Sequence, residues 1–143
     1  MALKIGVVGF SSNQFNHKEA SLKLKKLLDH IVRNHGKEGL VLVSGYTNSG
    51  VPKIAYDWAV ELGMETVGFS AKQALTVDSG VYPVDKVILV GEKFGEESQS
   101  FVEYIDILIR IGGGNQSRHE VELFKEHKGL VDLEKILFEA EID

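Results

Sequence analysis

A polar glycine turn between an apolar run and a helical pattern holds the residues with the clearest capacity for chemistry. The run 105–111 is strongly apolar and rich in β-branched residues, which predicts a buried strand. A turn of this kind ahead of a helix directs backbone N–H groups at one point, where they can bind an anion. The sequence therefore predicts an anion or phosphate site made of Gly112, Gly113, Gly114, Asn115, Gln116 and Ser117.

The first helical turn after these glycines has two interpretations. Ser117 and Glu120 match the capping box S-x-x-E, in which the serine caps the helix and the glutamate bonds back to the serine amide. Alternatively, both residues face a ligand. Arg118 lies between them and is either a cation for an anionic ligand or a solvated residue of the first turn.

Two further glycine turns follow apolar strand patterns. Residues 45–50 have the glycine spacing of a Walker A loop, but Val51 and Pro52 stand where that loop needs a lysine and a hydroxyl residue. This turn either holds a phosphate or caps the helix that follows. The first strand lacks the G-x-G-x-x-G spacing of dinucleotide-binding proteins. The candidate ligand-binding residues of the two turns are Gly9, Ser11, Ser12, Ser44, Gly45, Thr47, Asn48, Ser49 and Gly50.

Short apolar strands alternate with helical patterns along the chain. After residue 129 the tail fits a helix, which we favour, or an edge strand. Ser70 and Lys72, at the end of the third strand, are ligand contacts or ordinary loop residues. We expect strands over 3–10, 40–43, 65–69, 86–90 and 105–111, and helices over 17–34, 52–62, 98–104 and 117–128.

This alternation predicts an α/β fold, namely a single-domain Rossmann-like three-layer α/β/α sandwich with a doubly wound parallel sheet over residues 1–143. We expect the strand order 3-2-1-4-5, with the topological switch point between the first and fourth strands. Ligands of such sheets lie outside the carboxyl ends of the strands. All three glycine turns are therefore expected at one ligand-binding edge.

Composition narrows the class of function. The chain has 143 residues, a formal net charge of −5 and no cysteine. An acidic chain has no electrostatic footprint for nucleic acid or an anionic membrane, and the lack of cysteine excludes disulfides and thiolate metal sites. No apolar run approaches the roughly 20 residues of a membrane span, and the N-terminus lacks the shape of a signal peptide. We expect a cytoplasmic protein whose partner is a small molecule.

Residues 113–120 carry a resemblance to a known family. Their sequence, Gly-Gly-Asn-Gln-Ser-Arg-His-Glu, resembles the PGGxGTxxE motif of the LOG (Lonely Guy) family, which bears the older name of possible lysine decarboxylases. That family belongs to the SLOG/DprA-like Rossmann superfamily. The turns at 9–12 and 44–51 look like its first two loops, and the layout agrees over roughly residues 3–128. The resemblance implies a nucleotide-binding domain that forms a homodimer or a higher homo-oligomer.

The resemblance also implies roles for single residues. Gly113 and Gly114 match the two glycines of the motif, Ser117 matches its threonine, and Glu120 matches its catalytic glutamate. Members of the family hydrolyse the N-glycosidic bond of a nucleoside 5′-monophosphate to free base and ribose 5-phosphate. A carboxylate can stabilise the oxocarbenium-like transition state or orient the attacking water. The resemblance implies no metal and no other cofactor.

Several positions depart from the family pattern. Gly112 replaces the proline, and Gln116 replaces the third glycine. The region 95–101 has no arginine or lysine, although the family carries an arginine ahead of its fifth strand. Arg118 is the best substitute within this chain, and a neighbouring subunit could also donate the cation. Two acidic residues at 96 and 97 would repel a phosphate unless they face away.

Two functions remain open from these residues. The glycine turns suit a nucleotide or phosphosugar binder of the LOG/SLOG type, and the departures favour a binder or sensor that has lost the reaction. Glu120 favours the alternative, a phosphoribohydrolase. Arg110 is a separate oddity, because a charge that interrupts a buried strand is costly without a partner. Its partner is the ligand at the strand end, Asp106, or a neighbouring subunit.

Overall fold

The computed structural model describes residues 2–129 and 132–142, and these form one six-stranded parallel sheet with four α-helices. The strand order is β4-β3-β2-β1-β5-β6, and every neighbouring pair is parallel. The strands are β1 (Leu3–Gly9), β2 (Leu40–Ser44), β3 (Glu65–Ser70), β4 (Lys86–Leu89), β5 (Ile107–Ile111) and β6 (Leu137–Ala140). The helices are α1 (His17–His35), α2 (Gly50–Leu62), α3 (Ser98–Tyr104) and α4 (Asn115–Lys128).

The strands alternate their side chains between two hydrophobic layers. Ile5 and Val7 of β1 pack with α1 and α2 on one face, whereas Val8 packs with α3 and α4 on the other. Residues of β5 divide in the same way, with Ile109 in the first layer and Leu108 in the second. Helices therefore cover both faces, which confirms the predicted Rossmann-like α/β/α architecture.

The predicted strand order is wrong in one respect. The fourth strand lies at the edge beside β3, and β5 takes the central place beside β1. Burial gives the physical reason, since β4 is short and partly exposed while all five residues of β5 are buried. The switch point consequently lies between β1 and β5. This brings the loop after β5 next to the loop after β1.

The tail prediction is also wrong, because the favoured helix is absent from the described part of the tail. A 3₁₀ turn over Leu133–Lys135 leads into the edge strand β6, which pairs with β5. Phe138 and Ala140 pack against the layer that contains α1 and α2, so their alternation marks a strand. Leu130 was assigned to the favoured helix and lies outside the described residues.

The described helices include none that is both long enough and apolar enough to cross a lipid bilayer. The longest of them, α1, has 19 residues and exposes a charged face.

Candidate functional site

A cavity of about 340 Å³ opens at the carboxyl ends of β1, β2 and β3 and is closed on one side by the start of α4. This is the edge at which the glycine turns were expected. Eleven of the predicted site residues line it, namely Gly9, Ser11, Ser12, Ser44, Gly45, Thr47, Gly114, Asn115, Gln116, Ser117 and Glu120. Six do not, namely Asn48, Ser49, Gly50, Gly112, Gly113 and Arg118.

The N-terminus of α2 is closed by the loop that follows β1. The Gly50 amide donates to Asn13 Oδ1 at 2.9 Å, and the Val51 amide donates to the Phe10 carbonyl at 2.8 Å. Ser49 Oγ donates to the Ser11 carbonyl at 2.9 Å. These N–H groups are thus used to hold two loops together. The second glycine turn is therefore hydrogen-bonded to the loop that follows β1. Its hydroxyl and amide groups at 48–50 do not face the cavity.

The N-terminus of α4 is open. The helix follows Gly114, and no side chain of the described residues caps it. Since the first amides of a helix lack partners within the helix, those of Asn115, Gln116 and Ser117 are available at the cavity wall. The predicted capping box does not form, because Ser117 Oγ donates to the Gly114 carbonyl at 3.2 Å and Glu120 bonds elsewhere. Of the helix starts at α2 and α4, that of α4 is the one that can bind an anion.

Glu120 lies one turn into α4 and is only 6% exposed. Its Oε2 accepts a hydrogen bond from Ser98 Oγ at 2.8 Å and a longer one from Gln116 Nε2 at 3.4 Å. Burial raises the pKa of Glu120 to about 7, and the negative charge of Glu97 adds to this, while the bonds from Ser98 and Gln116 oppose it. At neutral pH the carboxyl group therefore exists in both protonation states and can exchange a proton.

Glu97 is a second buried carboxyl group in the cavity wall, and the sequence does not distinguish it from Glu96. It is 4% exposed, and its Oε1 accepts from the Gly95 amide at 2.8 Å. Glu96 instead turns back to accept from the amides of Glu92 and Lys93 and does not line the cavity. Adjacent glutamates in a polar loop carry no periodic signal that distinguishes them, so only the fold reveals which one points inward.

Gln116 lies between the two carboxyl groups. Its Nε2 is 3.4 Å from Glu120 Oε2 and 3.5 Å from Glu97 Oε2. Both distances are at the long end for a hydrogen bond, so each contact is weak. The residue that replaces the third glycine of the LOG motif thus supplies the amide that the two carboxyl groups share.

The remaining walls are largely apolar. Aromatic rings surround the space, together with Pro52 and the ends of β1. Ser70 also lines the cavity, and its Oγ accepts from the Tyr46 amide at 2.8 Å, whereas Lys72 lies outside and pairs with Glu92. Such walls suit a flat heterocycle with a few polar groups. The aromatic lining residues, none of which was predicted, are Phe10, Phe69, Phe94 and Phe101.

The lining contains no lysine, arginine or histidine among the described residues. Arg118 is directed away from the cavity, with its Nη2 2.9 Å from Glu141 Oε1 and its Nε 3.3 Å from the Gly113 carbonyl. Arg118, the candidate cation for an anionic ligand, therefore pairs with Glu141 of the C-terminal segment instead.

Arg110 pairs with two glutamates of the C-terminal segment, which differ from the partners expected from the sequence. Its side chain is 5% exposed and bonds to Glu139 Oε1 and Glu141 Oε2, each at 2.8 Å, and to the Gly112 carbonyl at 2.7 Å. Asp106, one of the expected partners, accepts from the Lys4 amide instead. Arg110 thus fastens β6 and the residues after it to β5. Within the described ranges, no group of three or more carboxylate, histidine or cysteine side chains is arranged to hold a metal ion.

Comparison with solved structures gives clear likenesses of fold. The molybdenum cofactor binding protein from Rippkaea orientalis superposes with a TM-score of 0.71 at 24% identity, covering 100% of this chain and 78% of that one. The molybdenum cofactor carrier protein from Chlamydomonas reinhardtii gives 0.70 at 21% identity, covering 99% and 91%. This chain has the fold of those proteins. No protein-family model matches the sequence, and no curated protein does so.

Proposed function

We propose that the protein binds a phosphorylated heterocyclic small molecule and holds it without transforming it, as a carrier or sensor does. The observation that carries this proposal is the cavity itself. It combines free amides at the N-terminus of α4 with aromatic walls in a space of about 340 Å³. Amides at a helix start suit a phosphate, and aromatic walls suit a flat ring.

The size of the space agrees with this ligand class. Small-molecule sites commonly have volumes of about 300–1,000 Å³. Nucleoside 5′-monophosphates and phosphorylated pterins both combine one phosphate with one flat ring, and both are candidates. The resemblance of residues 113–120 to the LOG motif supports a nucleotide or phosphosugar. The two structural neighbours, which bear the names of molybdenum cofactor binding and carrier proteins, support a pterin, because that cofactor is a phosphorylated pterin.

Holding is favoured over turnover by what surrounds Glu120. Among the residues that the structure describes, the cavity lining has no cation to neutralise a phosphate or a developing charge. Gln116 also occupies space beside the carboxyl group, where the LOG motif has a glycine. A catalytic site normally adds preorganised positive charge or donors at the reacting atoms.

The test is a ligand panel with and without phosphate. Nucleoside 5′-monophosphates, the matching nucleosides and a phosphorylated pterin are added to the protein, and the thermal midpoint of unfolding is recorded. A ligand at 100 times its Kd stabilises the fold by about 2.7 kcal/mol. We expect stabilisation by phosphorylated members only, and no free base by chromatography. A panel in which nothing binds contradicts the proposal.

A second candidate function is phosphoribohydrolase activity, and one observation favours it. The pKa of Glu120 is raised to about 7 within the cavity, which places it where a general acid or base works well. Release of free base from a nucleoside monophosphate, abolished in a Glu120→Gln variant, would establish the enzyme and exclude the pure carrier.

We also propose that the protein assembles as a homodimer or a higher homo-oligomer in the cytoplasm. Support comes from the LOG resemblance, which implies self-association. Measurement of molecular mass in solution by light scattering tests the assembly, and a strict monomer contradicts it.

A further inference from the structure

Glu97 is a buried carboxyl group with too few partners. It is 4% exposed, and its Oε1 has one good bond, from the Gly95 amide at 2.8 Å. Within the described ranges, its Oε2 has only the weak contact with Gln116 at 3.5 Å. In the described part of the chain, no lysine, arginine or histidine forms an ion pair with it. Because a buried carboxylate is costly unless donors surround it, the cavity must supply donors from water or from a ligand.

The neighbours of Glu97 in the chain indicate which part of a ligand it meets. Phe94 precedes it and Phe101 follows it by one helical turn, and all three line the cavity. Aromatic side chains hold the faces of a flat ring. Glu97 lies between them in the chain and lines the same cavity, so its carboxylate can accept hydrogen bonds from the ring N–H and amino groups of a ligand that packs on these rings.

We propose that Glu97 is a specificity-determining residue that selects heterocycles with an amino–imino edge. Such an edge has an N–H next to an exocyclic NH₂, as in guanine and in pterins, and offers two parallel donors to one carboxylate. Adenine offers an acceptor beside its amino group and cannot form this pair. Hypoxanthine retains the ring N–H but lacks the amino group. This inference rests on the proposed function, since it requires the cavity to be the ligand site.

The two carboxyl groups have different parts in this arrangement. Glu120 Oε2 is occupied by Ser98 at 2.8 Å and by Gln116. Glu97 Oε2 has no comparable donor, so it is the freer oxygen. Gln116 contacts both groups and can turn its amide fully toward Glu120 when a ligand donor replaces it at Glu97.

The experiment is calorimetric titration of the wild-type protein with guanosine, inosine and adenosine 5′-monophosphates, and with the monophosphate ester of 6-hydroxymethylpterin. The three nucleotides share the phosphate and the ribose diol, so only the base edge differs. We expect the guanine nucleotide to bind at least about tenfold more tightly than the adenine nucleotide, with inosine between them. Binding of the pterin but not the guanine nucleotide also supports the edge and identifies a pterin as its source.

Two variants test whether Glu97 causes the preference for guanine over adenine. Glu97→Gln presents one donor and one acceptor in place of two acceptors, so the preference for guanine over adenine should fall to less than about twofold. Glu103→Gln is the matched control, because Glu103 lies on the exposed face of α3 and accepts a hydrogen bond from Gln99, its neighbour one turn earlier. The titrations of the wild-type protein decide the question even where Glu97→Gln fails to fold.

The outcomes separate this inference from the proposed function. Equal affinity for all three nucleotides would overturn the role of Glu97 and leave the phosphate-binding cavity in place, as would a preference that survives in Glu97→Gln. No binding by any nucleotide or by a phosphorylated pterin would overturn the proposed function itself.

Discussion

Ser98 Oγ lies 2.8 Å from Glu120 Oε2 and joins the first turn of α3 to the second turn of α4. Both side chains are buried, so this bond is made inside the cavity wall. The bond favours the ionised carboxylate, yet desolvation outweighs it, and the pKa of Glu120 remains raised to about 7. Because Ser98 lies on α3 and Glu120 on α4, the packing of these two helices affects the protonation state of Glu120.

The raised pKa of Glu120 should make the stability of the protein depend on pH. In the unfolded chain Glu120 ionises near 4.5, whereas in the folded protein it keeps its proton up to about 7. Below pH 4.5 both states are protonated, so stability is unaffected. Between these values only the unfolded state ionises, and the free energy of unfolding falls as pH rises, by about 3 kcal/mol at most.

A Glu120→Gln variant removes this loss. We expect its stability relative to the wild type to rise between pH 5 and pH 8, as measured by urea denaturation at several pH values. Glu103→Gln, on the exposed face of α3, should show no such trend. A difference between Glu120→Gln and wild type that is constant with pH would contradict the raised pKa.

The second prediction concerns the phosphate site at α4. Gly114 has φ −103°, and a Cβ atom added there meets nothing within 4 Å. A Gly114→Asp variant should fold normally and gain a few tenths of a kcal/mol, because aspartate caps the free amides of α4. The same carboxylate occupies the phosphate position and repels the phosphate. We expect ligand affinity to fall by at least about tenfold, measured by calorimetry.

Gly114→Ala is the control for this experiment. It adds a methyl group in the same open space without a charge or a hydrogen-bond acceptor. Its affinity should remain within about twofold of the wild type. Unchanged affinity in Gly114→Asp would place the phosphate elsewhere in the cavity.

The third prediction compares two neighbouring glycines. Gly113 has φ +101°, a backbone conformation that residues with a side chain rarely adopt. A Cβ atom at this position would also collide with Ser117 Oγ. Gly113→Ala should therefore lower the free energy of unfolding by about 2 kcal/mol or more. Gly114→Ala should change it by less than about 0.5 kcal/mol. Equal effects in denaturant titrations would show that the turn is not constrained as described.

The fourth prediction concerns the ion pairs that hold β6. Arg110 is 5% exposed, whereas Glu139 and Glu141 are 37% and 65% exposed. Replacing both glutamates with glutamine removes the two carboxylates that pair with the buried guanidinium. The Gly112 carbonyl still accepts its hydrogen bond but does not neutralise the charge. Arg110→Met leaves two carboxylates that reach water. We therefore expect the double variant to be less stable than Arg110→Met at pH 7.

At low pH, the difference in stability between the wild type and the double variant should disappear. Arg118 and Arg110 lower the pKa of Glu141 to about 2, so its contribution to stability is present above the ordinary glutamate range and is lost as pH falls toward 2. Denaturation curves of the two proteins should converge on acidification. A gap that persists at the lowest pH would indicate that the ion pairs do not explain the difference.

Local pattern in the sequence determined much of the architecture. Apolar runs bounded by glycine turns marked β1, β2, β3 and β5, and a 3.6-residue period marked α1. Parallel strands joined by helices must present their carboxyl ends at one edge. The sequence alone thus predicted that the turns at 9–12, 44–50 and 112–117 lie at one edge of the sheet, and most of their residues line the cavity there.

Only the tertiary structure decided which groups at that edge are free. The amides of α2 are taken by Asn13 and Phe10, while those of α4 remain open, and no periodicity distinguishes these cases. Arg110 lies opposite Glu139 because β6 pairs with β5 in that register. Glu97 meets Gln116 and Glu120 because α3 packs on α4. Such contacts join residues distant in the chain, so they depend on strand order and register, which short-range sequence patterns do not encode.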